Sequence, residues 1–119
     1  MTKRTERVNA LLQEELSELL RRDLHDPRIG GVVTITHVEV APDLRTARAW
    51  VSVYGSEEER SGTMAALEHA RPFVRRLLGK RLHMRNTPDV RFISDDSLER
   101  AQALTDLMRK NAEERGESV

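Results

Sequence analysis

The sequence has no cysteine, which excludes disulfide scaffolding, thiol nucleophiles and zinc–thiolate sites. Aromatic side chains are nearly absent as well. Trp50, Tyr54, Phe73 and Phe92 are the whole set, too few for a broad base-stacking platform. No apolar run approaches the roughly 20 residues that cross a bilayer. The opening stretch MTKRTERV has charge but no apolar signal region behind it, so the expectation is a cytoplasmic protein without a membrane association. There is no Gly-rich nucleotide loop, and His25, His37, His69 and His83 are scattered without a serine or carboxylate at a recognisable catalytic spacing. No enzyme, cofactor, metal or small-molecule substrate is expected. Net charge is absent too, since 20 Lys and Arg balance 20 Asp and Glu. Any basic surface must therefore come from placement along the chain.

What is present suits one small domain. A chain of 119 residues can enclose a single hydrophobic core. In TERVNALLQEELSELLRRDL, Val8, Leu11, Leu12, Leu16, Leu19 and Leu20 recur every three or four residues and predict a helix with one apolar stripe, ended by Asp26-Pro27. Gly30-Gly31 allows a sharp turn. VVTITHVEV is rich in β-branched residues, and ARAWVSVY alternates. Ala47, Ala49, Val51 and Val53 share one face of that second strand; Arg48, Trp50, Ser52 and Tyr54 share the other. With APDLRT as the turn, the two strands form an antiparallel hairpin. A helical period returns through Met64, Leu67 and Ala70, is interrupted at Pro72, and resumes with Phe73, Val74, Leu77 and Leu78. Ser56 with Glu59 fits a capping box. DVRFIS predicts a third strand. Asp96 with Glu99 suggests a second capping box that opens a last helix carrying Leu98, Ala101, Leu104 and Leu107 or Met108. Asp95-Asp96 also has the chemistry to hold Mg²⁺, but a turn and helix cap account for it. The expected domain covers 1–110, with 111–119 as a frayed tail. The fold class is α+β: a three-stranded sheet with helices on one face, in the order α-β-β-α(kink)α-β-α.

Charge is the least even feature. From His69 to Pro88 the chain has Arg71, Arg75, Arg76, Lys80, Arg81 and Arg85 and no acid. The helical phase turns Phe73, Val74, Leu77 and Leu78 inward and Arg75, Arg76 and Lys80 away. Two readings are open. One is a phosphate-facing ridge, since 17 of the 20 basic residues are Arg and guanidinium forks grip phosphate bidentately. The other is a solvated face whose cations meet acids brought near by folding. Lys3, Arg4 and Arg7 form a second basic cluster, either an extension of the footprint or a solubilising terminus. Arg48, Trp50 and Tyr54 either stack on a partner or simply cover the sheet.

The pieces RVNALLQEELSELL, DPRIGGVVTITHVEVAPDLRTARAWVSV and ARPFVRRLLGKRLHMRNTPDVRFISDDSLERA, in this order, resemble the ribosome-binding factor A family. The resemblance implies a type II KH-like domain and a non-enzymatic assembly factor, a cytoplasmic monomer, that binds the immature small ribosomal subunit and its ribosomal RNA and assists late maturation and rRNA processing. It also implies an Ala-x-Gly helix kink in place of the KH Gly-x-x-Gly loop. Here Ala70 fits and Pro72 stands where Gly is usual. Proline breaks a helix interior but suits a first helical turn, so Pro72 keeps the kink by a stiffer route and pushes Arg71 toward extended geometry. The RNA-binding residues expected on this basis are Arg71, Arg75, Arg76, Lys80, Arg81 and Arg85, joined by Lys3, Arg4 and Arg7. The competing expectation is a small α+β protein–protein module without RNA affinity.

Overall fold

A computed structural model describes residues 3–29, 32–84 and 86–116, apart from the side chains of Leu98 and Glu99. The proposed Gly30-Gly31 turn and Arg85 lie outside the described residues. The elements are α1 (Lys3–Arg22), β1 (Val32–Val40), β2 (Thr46–Tyr54), α2 (Glu57–His69), α3 (Arg71–Leu82), β3 (Asp89–Ser94) and α4 (Ser97–Glu114). This is the expected KH-like order. The sheet order is β1-β2-β3, with β2 antiparallel to β1 and parallel to β3. The α2–α3 pair forms the crossover that a parallel neighbour requires.

The core is one cluster. Leu12, Leu16 and Leu19 of α1 meet Ile35, Val38 and Val40 of β1, the inward face of β2, Leu67, Val74, Leu78 and Val90. Two details depart from the periodic reading. Leu11 sits at the edge of the α1 stripe and is exposed, because the core takes only the 12–16–19 line. α1 also ends at Arg22, before Asp26-Pro27, where the Asp23 and Leu24 N–H groups both turn back to the Leu19 carbonyl. In β1 the inward set switches from Val33 and Ile35 to Val38 and Val40. A bulge at Thr36 causes this, because the register jumps from Ile35↔Val51 to His37↔Trp50 and one extra residue reverses the side-chain alternation. α1 covers the β1 edge: Asn9 Oδ1 accepts the Val40 N–H at 2.8 Å and the Gln13 amide donates to the Ile35 carbonyl.

The Ser56–Glu59 capping box is present, each side chain bonding the other's backbone N–H at 3.0–3.1 Å. Asp96 makes no cap hydrogen bond; its carboxylate pairs with Arg100 instead. The preceding carboxylate, Asp95, holds the Ser97 N–H. Glu99's side chain, the other half of that expected box, lies outside the described residues. The helix break is a single residue. Ala70 (φ −82°, ψ −3°) ends α2 and precedes α3, its N–H bonding the Ala66 carbonyl at 3.0 Å and its carbonyl accepting the Val74 N–H at 2.9 Å. Arg71 therefore lies in the first turn of α3 and not in extended backbone. The tight turn at Ala70 already relieves the proline ring.

α1, α2 and α3 pack on the sheet and one another; α4 takes no substantial part. Leu104, Leu107 and Met108, expected to anchor it, are exposed, and the molecule reaches 62 Å in its longest dimension. Helices on one face thus describes three of the four. α4 also continues to Glu114, through part of the expected tail.

Candidate nucleic-acid interface

Val74 and Leu78 fix the rotation of α3, because both are fully buried against the sheet. Arg75, Arg76 and Lys80 are consequently exposed. The helix faces the segment leading into β3 across an open cleft lined by Arg71, Pro72, Arg75, Arg76, Gly79, Asn86 and Thr87, with the carboxylates of Glu68 and Asp89 at the Arg71 end. One hydrogen bond holds that segment close, and one glycine leaves room for it. Arg75 Nε donates to the Thr87 carbonyl at 3.1 Å. At Gly79, an added Cβ would meet Thr87 Oγ1 at 2.9 Å. Gly79 is therefore a close-approach glycine. Its local sequence context gave no sign of this, because the neighbour is eight positions away across the cleft.

Folding divides the six cations of the run. Arg71 lies between two carboxylates, Glu68 Oε1 at 2.7 Å and Asp89 Oδ2 at 2.6 Å, with its side chain 23% exposed. Arg81 bonds Asp23 and lies 3.9 Å from Glu15, both contributed by the α1 region. These two behave as the solvated-face reading expects, and Arg81 in addition fastens α3 to α1. Arg76 and Lys80 have no carboxylate partner among the described residues, and Arg75 has only a neutral carbonyl. Arg76 lies 6.0 Å over the Phe73 ring, which steadies the guanidinium without neutralising it.

The second cluster occupies the first two turns of α1, where Lys3, Arg4 and Arg7 are all exposed. Cations are disfavoured there by the positive end of the helix dipole. Arg4 lines a groove with Asp43, Leu44, Met84 and Asn86, and Asn86 also lines the α3 cleft. The fold thus brings Arg4 to the same loop that borders Arg75 and Arg76. Other acids lie away from the cleft: Glu57, Glu58 and Glu59 are in the first turn of α2, where the helix dipole favours them. Backbone N–H groups at the kink contribute less than expected, because the Ala70 N–H is bonded within α2 and Pro72 has none.

Among the described residues no group of three or more His, Asp or Glu is placed to hold a metal ion, and no helix is long and apolar enough to cross a membrane. The arrangement is an open, asymmetric basic shelf. Its chemistry is anion binding by exposed guanidinium and ammonium groups along one helix.

Comparison with known proteins gives the following. The family model described as Ribosome-binding factor A matches residues 4–108. A ribosome-binding factor A from Synechocystis is 45% identical over 108 residues, which is 90% of this chain and 81% of that protein. The crystal structure of ribosome-binding factor A from Thermus thermophilus superposes with a TM-score of 0.67 at 26% identity, over 76% of this chain and 93% of the other. A Thermus thermophilus homology model fitted into a cryo-EM map of a 30S–RbfA complex gives 0.63 at 27% identity, over 74% and 91%.

Proposed function

Because the chain belongs to the ribosome-binding factor A family, we propose that it is a non-enzymatic assembly factor that binds the immature small ribosomal subunit through ribosomal RNA. In this reading it acts as a cytoplasmic monomer in late maturation and rRNA processing, without a cofactor. The similarity to a chain fitted into a 30S complex supports the choice of subunit. The observation that carries the RNA contact is the sorting of charge on α3. Arg71 and Arg81 are neutralised by acids from other elements, whereas Arg75, Arg76 and Lys80 are left outward on one exposed shelf. Cations with a full complement of intramolecular partners would have nothing left for phosphate; Arg76 and Lys80 have no carboxylate partner among the described residues, and Arg75 has only a neutral carbonyl.

The test is binding to free small subunits across a range of salt concentrations. For every phosphate that a variant no longer neutralises, the log–log salt slope should flatten by roughly 0.7–0.9. Replacing Arg75, Arg76 and Lys80 by Gln should therefore reduce the slope by roughly 2–3 and weaken binding most at low salt. Arg100, Arg109 and Lys110 on α4 form the control set. Equal weakening by both sets would point to generic attraction, and an unchanged slope in the α3 variant would remove the shelf from the RNA contact.

A further inference from the structure

The face of the sheet turned away from α1, α2 and α3 has an order of its own. Strand register places His37 beside Trp50 and Trp50 beside Ile93, one row across all three strands. The next row along the strands is Glu39, Arg48 and Arg91. The first row is aromatic and apolar: the His37 and Trp50 rings are 5.1 Å apart and tilted by 45°. The second is basic. Arg48 lies 5.3 Å over the Trp50 ring. Glu39 approaches Arg48 at 3.6 Å and His37 at 3.7 Å, while Arg91 is exposed and has no ion-pair partner among the described residues. Like charges directly opposite on neighbouring strands destabilise a sheet. Here two arginines sit side by side with one loosely held carboxylate next to them.

We infer that this face is a second nucleic-acid contact, which takes one unpaired nucleotide of single-stranded RNA: the base stacks on Trp50 between His37 and Ile93 in place of the Arg48 guanidinium, which swings off the ring to hold the phosphate together with Arg91. Rows on the same face of a strand are about 7 Å apart, a spacing that lets a nucleotide reach from one row to the other. Aromatic stacking is indifferent to base identity, and the arginine pair supplies the charge complement that a protein surface of mixed sign would not need. A duplex would not fit, because its bases are already stacked on each other and none is free to lie on the ring. The sheet separates this face from the α3 shelf, so the domain presents basic surfaces on opposite sides. The inference goes beyond the α3 reading and has a separate test.

Trp50 is the single tryptophan of the chain, so its fluorescence reports this face alone. Titration with a short oligoriboadenylate should quench it saturably, and the same sequence annealed into a duplex should not. Arg48→Gln with Arg91→Gln retains the reporter and should weaken binding and flatten the salt slope by about 0.7, the value for one phosphate on a single strand. Trp50→Ala, read by anisotropy of a labelled oligonucleotide, should weaken binding roughly 5- to 150-fold, the range expected for one stacked base. Trp50→Phe keeps a ring and should recover most of that affinity. The variant lacking Arg75, Arg76 and Lys80 should quench as the parent does. Absence of quenching, equal quenching by the duplex or by inorganic polyphosphate, or abolished quenching in the α3 variant would each overturn the assignment. None of these results bears on subunit binding by α3, which the salt series measures.

Discussion

Arg81 and Arg76 lie five positions apart on the same helix and differ in what holds them. Arg81 reaches Asp23 and Glu15 with about two thirds of its side chain covered. Removing a charge-assisted hydrogen bond of this kind should cost about 1–2 kcal/mol, after a discount for partial exposure. Arg76→Gln, on open surface, should change stability by less than about 0.5 kcal/mol. Urea denaturation of the two single variants checks the difference, and equal midpoints would show that the Arg81 tie does not fasten α3 to α1. Asp95 gives a second prediction at this scale. Hydrogen bonds from the Thr36 hydroxyl, first, and from Ser97 hold its carboxyl at about 2. A carboxyl depressed in the fold contributes stability that is complete above the unfolded value near 3.8 and is lost as pH falls toward 2. The junction between β3 and α4 should therefore loosen in that acid window. In Thr36→Val the Asp95 carboxyl should titrate closer to its ordinary value, as followed by its side-chain carbonyl shift in NMR. An unmoved titration would mean that Thr36 does not set it.

Between elements, the α3–β3 approach depends on one missing methyl group. A glycine inside a helix costs about 1 kcal/mol relative to alanine, yet Gly79→Ala should not recover it, because the added Cβ would press on Thr87 Oγ1 at 2.9 Å. Overpacking of this kind typically costs about 1–3 kcal/mol. Removing the hydroxyl reverses the sign: in a Thr87→Ala background, Gly79→Ala should stabilise by about 1 kcal/mol, since the Thr87 Cβ lies at an ordinary 3.9 Å. A double-mutant cycle by thermal melting reads this coupling. Additive effects would show that the loop moves aside freely and that the cleft has no fixed width.

At the scale of the molecule, three helices and the sheet form one packed body, and α4 projects from it with Leu104, Leu107 and Met108 in solvent. Most helical stability in proteins comes from tertiary packing, which α4 with its 18 residues largely lacks. Amides of α4 should exchange with solvent far faster than those of β2, and truncation after Ser97, which keeps the Asp95 ties, should leave the melting of the body nearly unchanged. Calorimetry with hydrogen exchange checks both. A large drop in melting temperature on truncation would mean that α4 is packed on the body in solution.

The sequence by itself determined the strands, the capping box at Ser56, the inward face of β2 and the break near Pro72. Each of these is set by residues within a few positions of one another, and periodicity is a local property. Family resemblance in the ordered pieces supplied the KH-like arrangement. Only the tertiary structure decided which cations of the His69–Pro88 run remain open. Arg71 is neutralised by Asp89, 18 positions on, and Arg81 by Asp23, 58 positions back. The same holds for the Thr36 bulge, the parallel β3, the role of Gly79 and the outward course of α4. Ion pairing and close approach depend on distance through space, and a one-dimensional pattern has no access to it until the chain has closed on itself.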